Sequence, residues 1–126
     1  MRVLIVDDQP VIRRGLRMWL ELQDDVEVVG ETGNGHDAVR LSLTVHPDVV
    51  VMDVEMPVLD GIEATAVLRT AAPQVQVIVH SIHTDAATRS RALAAGAIAF
   101  FGKGTDAGEL LATLQRAAAA RRRASG

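Results

Sequence analysis

The fold class is best indicated by Val49-Val50-Val51-Met52-Asp53, where an unbroken apolar run of strand length is followed at once by an acidic residue. An alternating pattern would indicate a strand with one face in water, whereas continuous apolarity indicates a strand covered on both faces. Residues 3–6 repeat the pattern and lead directly into Asp7 and Asp8. Two such strands predict a parallel sheet buried between helices.

Three further apolar runs extend this sheet, at residues 26–29, 75–79 and 98–101. Segments with apolar residues at helical spacing alternate with the runs. They cover residues 12–20, 38–45, 64–71, 86–95 and 110–118. The alternation predicts an α/β fold: a single doubly wound (βα)5 domain of the flavodoxin-like type, with a five-stranded parallel sheet in the order 2-1-3-4-5.

Length and composition exclude several classes of protein. The chain has 126 residues, with 13 Lys and Arg against 16 Asp and Glu, so its net charge is −3. That balance argues against a duplex-binding face, and three aromatic residues cannot form a base-stacking platform. The absence of cysteine excludes disulfide scaffolds and thiolate zinc sites. No apolar run approaches the ~20 residues of a membrane span, and no signal peptide is recognisable, so we expect a cytoplasmic protein.

One domain is expected over residues 1–120, with residues 121–126 as a basic tail or the start of a linker. Arg121, Arg122 and Arg123 are interpreted as the solvated end of the last helix, where positive charge suits the helix dipole. A nucleic-acid contact by this segment is the less favoured interpretation.

The acidic residues that end the first and third strands should converge on one edge of the sheet. Asp7, Asp8 and Asp53 would repel one another there unless a cation binds between them. A small divalent ion with oxygen ligands fits, and Mg²⁺ is the expected one. The backbone carbonyl of Glu55 is a further candidate ligand, with water completing the shell.

Two polar residues follow the last two strands. Lys103 stands after the fifth strand, and Ser81 ends the fourth. A metal and a lysine beside a carboxylate are suited to phosphoryl transfer, with the carboxylate as nucleophile. Asp53, from the central strand, is the expected nucleophile, and the Ser81 hydroxyl is a candidate donor to a phosphoryl oxygen.

Simpler interpretations exist for several of these residues. Asp8 alone would serve as a helix cap, but a cap does not need a pair of acids. Asp60-Gly61 is interpreted as a turn and helix start. A zinc site at His80 and His83 is disfavoured, because one histidine would point away from the other ligands.

The sequence resembles the receiver domains of bacterial two-component response regulators over nearly its whole length. The matching features are the acid pair Asp7-Asp8, the loop VVMDVEMPVLDG at residues 50–61, the hydroxyl of Ser81, the turn AAGA at 94–97, Phe100, and Lys103, which lies 22 residues after Ser81. Together these motifs are highly specific, although each alone is modest.

The resemblance implies a function and roles for the site residues. Asp53 accepts a phosphoryl group from the phosphohistidine of a sensor histidine kinase, and Lys103 contacts that group. Asp8, Asp53 and the carbonyl of Glu55 hold Mg²⁺, with Asp7 helping through water. Ser81 moves toward the phosphate and Phe100 turns inward behind it, which rearranges the surface formed by the fourth helix, fifth strand and fifth helix.

The details resemble the NarL/FixJ subgroup, in which a linker and a DNA-binding domain follow the receiver. The implied partners are therefore a sensor kinase, the protein's own effector domain or another regulator, and a second copy of the chain on phosphorylation. No membrane partner is expected. The domain would be no enzyme in the ordinary sense, since it catalyses only its own phosphoryl uptake and hydrolysis. An excised receiver is favoured over a stand-alone one.

The chain also departs from the family pattern. Ser81 replaces the commoner threonine, Ile82 is bulky where small residues are frequent, and Gly102 and Gly104 flank the lysine. Glu55 and His83 occupy variable positions and are expected to influence the lifetime of the phosphate.

Three other classes stay open at this point. They are a pseudo-receiver that acts only as a protein-interaction module, a flavin-binding protein and an aspartyl phosphatase. The full set of acids and lysine argues against the first. Scarce aromatic residues argue against the second, and the missing Asp-x-Asp pattern argues against the third.

Overall fold

A computed structural model describes the backbone of residues 1–125 and the side chains of residues 1–121. Strands and helices alternate along the chain: β1 Arg2–Val6, α1 Pro10–Glu21, β2 Glu27–Thr32, α2 Gly35–Val45, β3 Val49–Met52, α3 Gly61–Ala71, β4 Gln76–Ser81, α4 Ala86–Ala95, β5 Ala99–Gly102 and α5 Ala107–Ser125. The sheet order is β2-β1-β3-β4-β5, and every pairing is parallel. The predicted fold class and strand order are confirmed.

The register of β1 and β3 positions the functional site. Val6 pairs with Met52, so the acidic residues that follow both strands begin at the same level of the sheet. The Asp53 amide donates to the Val6 carbonyl over 2.8 Å and extends this pairing by one residue. The carboxyl ends of the two central strands therefore deliver their acids to one place.

Two apolar layers cover the sheet, one on each face. Val50 and Met52 belong to the layer shared with α3, whereas Val49 and Val51 belong to the layer shared with α5. Neighbouring residues of a strand point to opposite faces, so a strand with both faces buried needs an apolar residue at every position. This explains the unbroken run that predicted the fold.

The second strand is longer than predicted and shifted toward the site. It was expected at residues 26–29 but ends at Thr32, with Glu31 paired to Ile5 and Thr32 to Val6 of β1. Apolar runs miss such residues because β2 is an edge strand, where polar side chains reach partners outside the sheet. Glu31 finds such partners on α1.

The solvated interpretation of Arg121 is wrong. Helix α5 continues past residue 120, and the Arg121 Nη1 atom lies 3.2 Å from Oδ1 of Asp48, with 19% of the arginine side chain exposed. Asp48 precedes β3 at the pole of the sheet opposite the acidic residues, where its Oδ2 also accepts from the Arg2 amide. The side chains of Arg122 and Arg123, and residue 126, lie outside the described part of the chain. The domain boundary at residue 120 stays a prediction.

Among the described residues, no helix is both long enough and apolar enough to cross a membrane.

Candidate functional site

Three carboxylates meet at the carboxyl edge of the sheet. Asp7, Asp8 and Asp53 each offer an oxygen atom, and these atoms all lie within 4.8 Å of one another. Asp7 and Asp53 are buried, with 3% and 5% of their surfaces exposed, while Asp8 faces solvent. The structure thus brings together the three acids that the sequence placed at two strand ends.

Lys103 joins the two buried acids. Its Nζ atom lies 2.8 Å from Oδ2 of Asp7 and 3.4 Å from Oδ1 of Asp53, and only 9% of its side chain is exposed. The loop after β5 positions it, because the Lys103 amide donates to the Ser81 carbonyl over 2.9 Å. The ammonium offsets part of the repulsion between the acids, but one cation cannot neutralise three carboxylates.

Burial shapes the chemistry of Asp53. Its Oδ1 atom accepts from the Val54 amide over 2.9 Å. Burial raises its pKa to about 6, the negative charge of Asp7 adds to the rise, and Lys103 opposes it. The ionised form of Asp53 is therefore costly until additional positive charge arrives.

The chemistry of the donor atoms indicates which kind of ion could supply that charge. Three carboxylates form the one cluster of potential metal ligands found among the described residues. Oxygen donors with net negative charge suit a hard divalent ion such as Mg²⁺. Asp7, Asp8 and Asp53 therefore fit the expected ion, and Glu55 lines the same cleft.

Several further residues that the sequence analysis singled out line this cleft. The cleft has a volume of about 70 Å³ and is lined by Asp8, Gln9, Asp53, Glu55, Ile82, His83 and Lys103. Oε1 of Glu55 lies 2.7 Å from Nε2 of His83, which joins the loop after β3 to the loop after β4. Ile82 is 61% exposed beside them. The two variable positions therefore contact each other across the mouth of the cleft.

The expected switch residues lie behind the cleft. Ser81 is buried, and its Oγ atom accepts from the His83 amide over 2.9 Å. Phe100 is 9% exposed and packs with the apolar layer that includes Val79, its partner in β4. Their placement next to the site agrees with the expectation, while their movement is untested.

The histidines do not form a zinc site. His83 contacts Glu55. His80 is half-buried in β4, where burial and, secondly, the charge of Lys103 hold its pKa below its usual range. Neither histidine belongs to the ligand cluster found in the described chain.

Sequence reasoning missed a contribution from β2 and α1. The Arg13 Nη1 atom donates to the Asp7 carbonyl over 2.6 Å, and its Nε donates to Oε1 of Glu31 over 3.0 Å. Arg13 and Glu31 are 18 positions apart in the chain, and the register between β1 and β2 brings them together. No local sequence pattern predicts a contact between residues that are this far apart in the chain.

Comparison with known proteins settles the family. The model of the response regulator receiver domain matches residues 3–115. The chain belongs to the response regulator receiver domain family. This agrees with the resemblance found in its motifs.

Its relatives include transcriptional regulatory proteins of Bacillus subtilis. The chain is 41% identical to YhcZ over 115 residues, which cover 91% of the chain and 54% of YhcZ. It is 36% identical to LiaR over 116 residues, which cover 92% of the chain and 55% of LiaR. The chain thus spans about half the length of these relatives.

Solved receiver structures have the same fold. The signal receiver domain of NarL from Mycobacterium tuberculosis superposes with a TM-score of 0.89 at 33% identity, covering 93% of this chain and 94% of that one. The response regulator domain of CheB from Thermotoga maritima superposes with a TM-score of 0.86 at 36% identity, covering 94% and 96%. The likeness to NarL confirms the expected subgroup, and receivers joined to other outputs share the fold.

Proposed function

We propose that this receiver domain is a phosphorylation-activated signalling switch in the cytoplasm, with Asp53 as the phosphoacceptor. The observation that supports the proposal most strongly is the arrangement of Asp53. It is buried beside two further acids and Lys103, at the end of the central strand. Three acids at one place repel one another, Lys103 offsets only part of that repulsion, and a bound cation would offset more of it.

The transfer step follows from this arrangement. A carboxylate oxygen of Asp53 attacks the phosphorus of a phosphohistidine on a sensor kinase. The new bond joins that oxygen to phosphorus, the bond between phosphorus and the histidine nitrogen breaks, and this nitrogen takes up a proton. Lys103 offsets charge on the transferred group, and its two contacts hold it beside the reacting carboxylate. Asp8, Asp53 and the carbonyl of Glu55 would hold Mg²⁺, with Asp7 helping through water, and the ion would supply Lewis-acid stabilisation of the phosphoryl oxygens.

The response is a change of surface. A phosphoryl group on Asp53 offers new acceptors to the Ser81 hydroxyl, whose present contact is the His83 amide. Movement of Ser81 alters the space next to Phe100, and with it the surface of α4, β5 and α5. Helix α4 is poorly anchored, because Ala92 is its one buried residue, so a small force shifts it.

The output is proposed to be transcriptional. Relatives that the chain matches over half their length are named as transcriptional regulatory proteins, which favours an effector that binds DNA. Relatives named as protein-glutamate methylesterases show that other outputs use similar receivers. The switch surface would act on such an effector domain, on another regulator or on a second copy of the chain.

A test follows from the acceptor. The protein is incubated with Mg²⁺ and acetyl phosphate and its intact mass is measured. We expect a gain of one phosphoryl group, lost in Asp53→Asn and retained in Asp60→Asn. Asp60 is a matched control because its carboxylate caps α3 through the Glu63 amide, and asparagine caps equally well. A phosphoryl group that persists in Asp53→Asn, or no gain in the unchanged protein, refutes the proposal.

A further inference from the structure

Asp7 is fixed at every polar atom it has. Its amide donates to the Thr32 carbonyl over 3.0 Å, and its Oδ1 accepts from the Gln9 amide over 2.9 Å. Its Oδ2 lies 2.8 Å from Lys103 Nζ, and its carbonyl accepts from Arg13 over 2.6 Å. No pattern in the sequence predicted the contact with Arg13.

Asp8 has no such support of its own. Its side chain is exposed, and among residues 1–121 its carboxylate accepts no hydrogen bond and forms no ion pair. The direction of this carboxylate therefore depends on the backbone that carries it. The peptide plane between Asp7 and Asp8 contains the Asp7 carbonyl, so the bond from Arg13 orients the chain that leads into Asp8.

Arg13 is itself held in place. The Arg13 Nε atom donates to Oε1 of Glu31, and the Arg17 Nη1 atom donates to Oε2 over 2.8 Å. Both oxygens of the Glu31 carboxylate are therefore held by arginines of α1. Arg13 has 20% of its side chain exposed. The rigid fork of a guanidinium can bond Glu31 and the Asp7 carbonyl at once, which the single ammonium of lysine does poorly.

The loop after β2 leaves room for this contact. A Cβ atom added to Gly33 would lie 3.2 Å from Arg13 Nη1 and 3.6 Å from the Asp7 carbonyl oxygen. Any side chain at this position would press on the guanidinium where it meets the backbone. Three separate features therefore converge on one hydrogen bond: the fork of Arg13, its acceptor Glu31 and the space at Gly33.

We propose that Arg13, held by Glu31 and accommodated by Gly33, is a positioning residue that orients the Asp7–Asp8 peptide for the divalent cation. The inference rests on the proposed function, because it concerns the same cation site. Residues that orient the ligands of a metal typically change its affinity ten- to a hundredfold.

The direction in which cation affinity changes when Arg13 is replaced distinguishes a positioning role from a purely electrostatic one. Arginine carries a positive charge near a cluster of acids, so its removal should strengthen cation binding if charge alone mattered. Loss of positioning has the opposite effect. Arg14 is the matched control, since it is the next residue of α1, is exposed and, among the described residues, forms no side-chain hydrogen bond or ion pair.

The experiment measures the dissociation constant for Mn²⁺ from the free-ion signal in electron paramagnetic resonance. The unchanged protein is compared with Arg13→Gln, Gly33→Ala and Arg14→Gln, and each variant is checked by thermal unfolding without metal. We expect about tenfold weaker binding in Arg13→Gln, weaker binding in Gly33→Ala, and equal or slightly tighter binding in Arg14→Gln. Gly33→Ala changes no charge and so tests the geometry when Arg13→Gln unfolds.

The possible outcomes are distinct. Equal or tighter Mn²⁺ binding by Arg13→Gln and Gly33→Ala overturns the positioning role while leaving the proposed function intact. Absence of Mn²⁺ binding in the unchanged protein overturns both. Weakening by the same factor in Arg14→Gln would show that the effect is not specific to Arg13, and would also reject the inference.

Discussion

At the scale of single residues, Asp53 combines two opposing demands. Its carboxylate must be buried to create a site that excludes water, yet burial and the charge of Asp7 make the ionised form unfavourable, with a pKa raised to about 6. Folding therefore brings Asp53 close to Asp7, and the two negative charges repel each other at the proposed site of phosphoryl transfer. A bound cation relieves that repulsion, which couples metal binding to stability.

The stored repulsion predicts the pH dependence of the metal-free protein. The pKa of Asp53 rises from 3.8 in the unfolded chain to about 6 in the folded domain, so the folded domain binds this proton more tightly. Protonated Asp53 therefore adds to the free energy of unfolding. This contribution is complete below pH 3.8 and is lost as the pH rises through 6. Asp53→Asn should remove this loss and stabilise the metal-free domain at pH 7 by about 1–3 kcal/mol.

Denaturant unfolding between pH 4 and 8, without metal, measures this effect. Asp60→Asn is the control that should keep the pH profile of the unchanged protein. Mg²⁺ should stabilise the unchanged domain more than Asp53→Asn. Equal stability of Asp53→Asn and the unchanged protein at pH 7 would contradict the proposed strain.

The contact between Glu55 and His83 makes a second prediction at this scale. The pair spans the mouth of the cleft, so breaking it should admit water more freely and shorten the lifetime of phosphorylated Asp53 several-fold. Stability should change by less than about 1 kcal/mol, because both side chains are largely exposed.

A double-mutant cycle on the dephosphorylation rate tests the pair, using Glu55→Gln, His83→Gln and the double variant. If the contact itself controls access, the double variant should lose phosphate no faster than either single variant. Additive effects would show that the two side chains act independently.

At the scale of elements, α3 approaches β3 so closely that only glycine fits at its start. A Cβ atom at Gly61 would overlap the carbonyl oxygen of Asp53, and the Gly61 amide donates to the Val54 carbonyl over 2.8 Å. The first turn of α3 thus packs directly against the backbone of Asp53. This close approach fixes the residue that ends the central strand.

The tight fit predicts opposite effects for two changes from glycine to alanine. Gly61→Ala should destabilise the domain by at least about 2 kcal/mol, because the helix must move away from the strand. Gly15→Ala should stabilise it by about 0.5–1 kcal/mol, since nothing lies within 4 Å of an added Cβ in α1 and alanine favours helix. Chemical denaturation measures both, and equal changes in the same direction would contradict the packing.

At the scale of the whole molecule, the surface formed by α4, β5 and α5 is a candidate partner-binding site. A cleft of about 520 Å³ lies between α4, β5 and α5. Leu93 and Ile98 line it and are 40% and 45% exposed, so apolar surface is available there for a partner. This surface changes in the proposed response, so we expect phosphorylation to control self-association through it.

We therefore predict that beryllofluoride with Mg²⁺ converts the domain from monomer to dimer. Ile98→Glu should prevent the conversion, whereas Leu43→Glu, on α2 and 47% exposed, should not. Light scattering coupled to gel filtration measures the mass. A monomer under both conditions, or loss of the dimer in Leu43→Glu, would contradict this interface.

Much of the fold and the acidic cluster could be predicted, because both follow from short sequence patterns: apolar runs that form strands, and acidic residues directly after them. Acids directly after apolar runs must converge once the strands lie parallel, and Asp7, Asp8 and Asp53 do so. The contacts Arg13–Glu31 and Arg121–Asp48 were not predictable, since long side chains find their partners only after register and helix position are set. The contact between Glu55 and His83 joins two loops and is hidden for the same reason.

Asp48 has a consequence for how motion travels through the domain. One of its oxygens accepts from the Arg2 amide at the start of β1, and the other lies 3.2 Å from Arg121 near the end of α5. The carboxylate of Asp48 thereby connects the start of β1 to the end of α5. A displacement of the last turns of α5 would therefore act on the start of β1, the strand whose other end leads into Asp7 and Asp8.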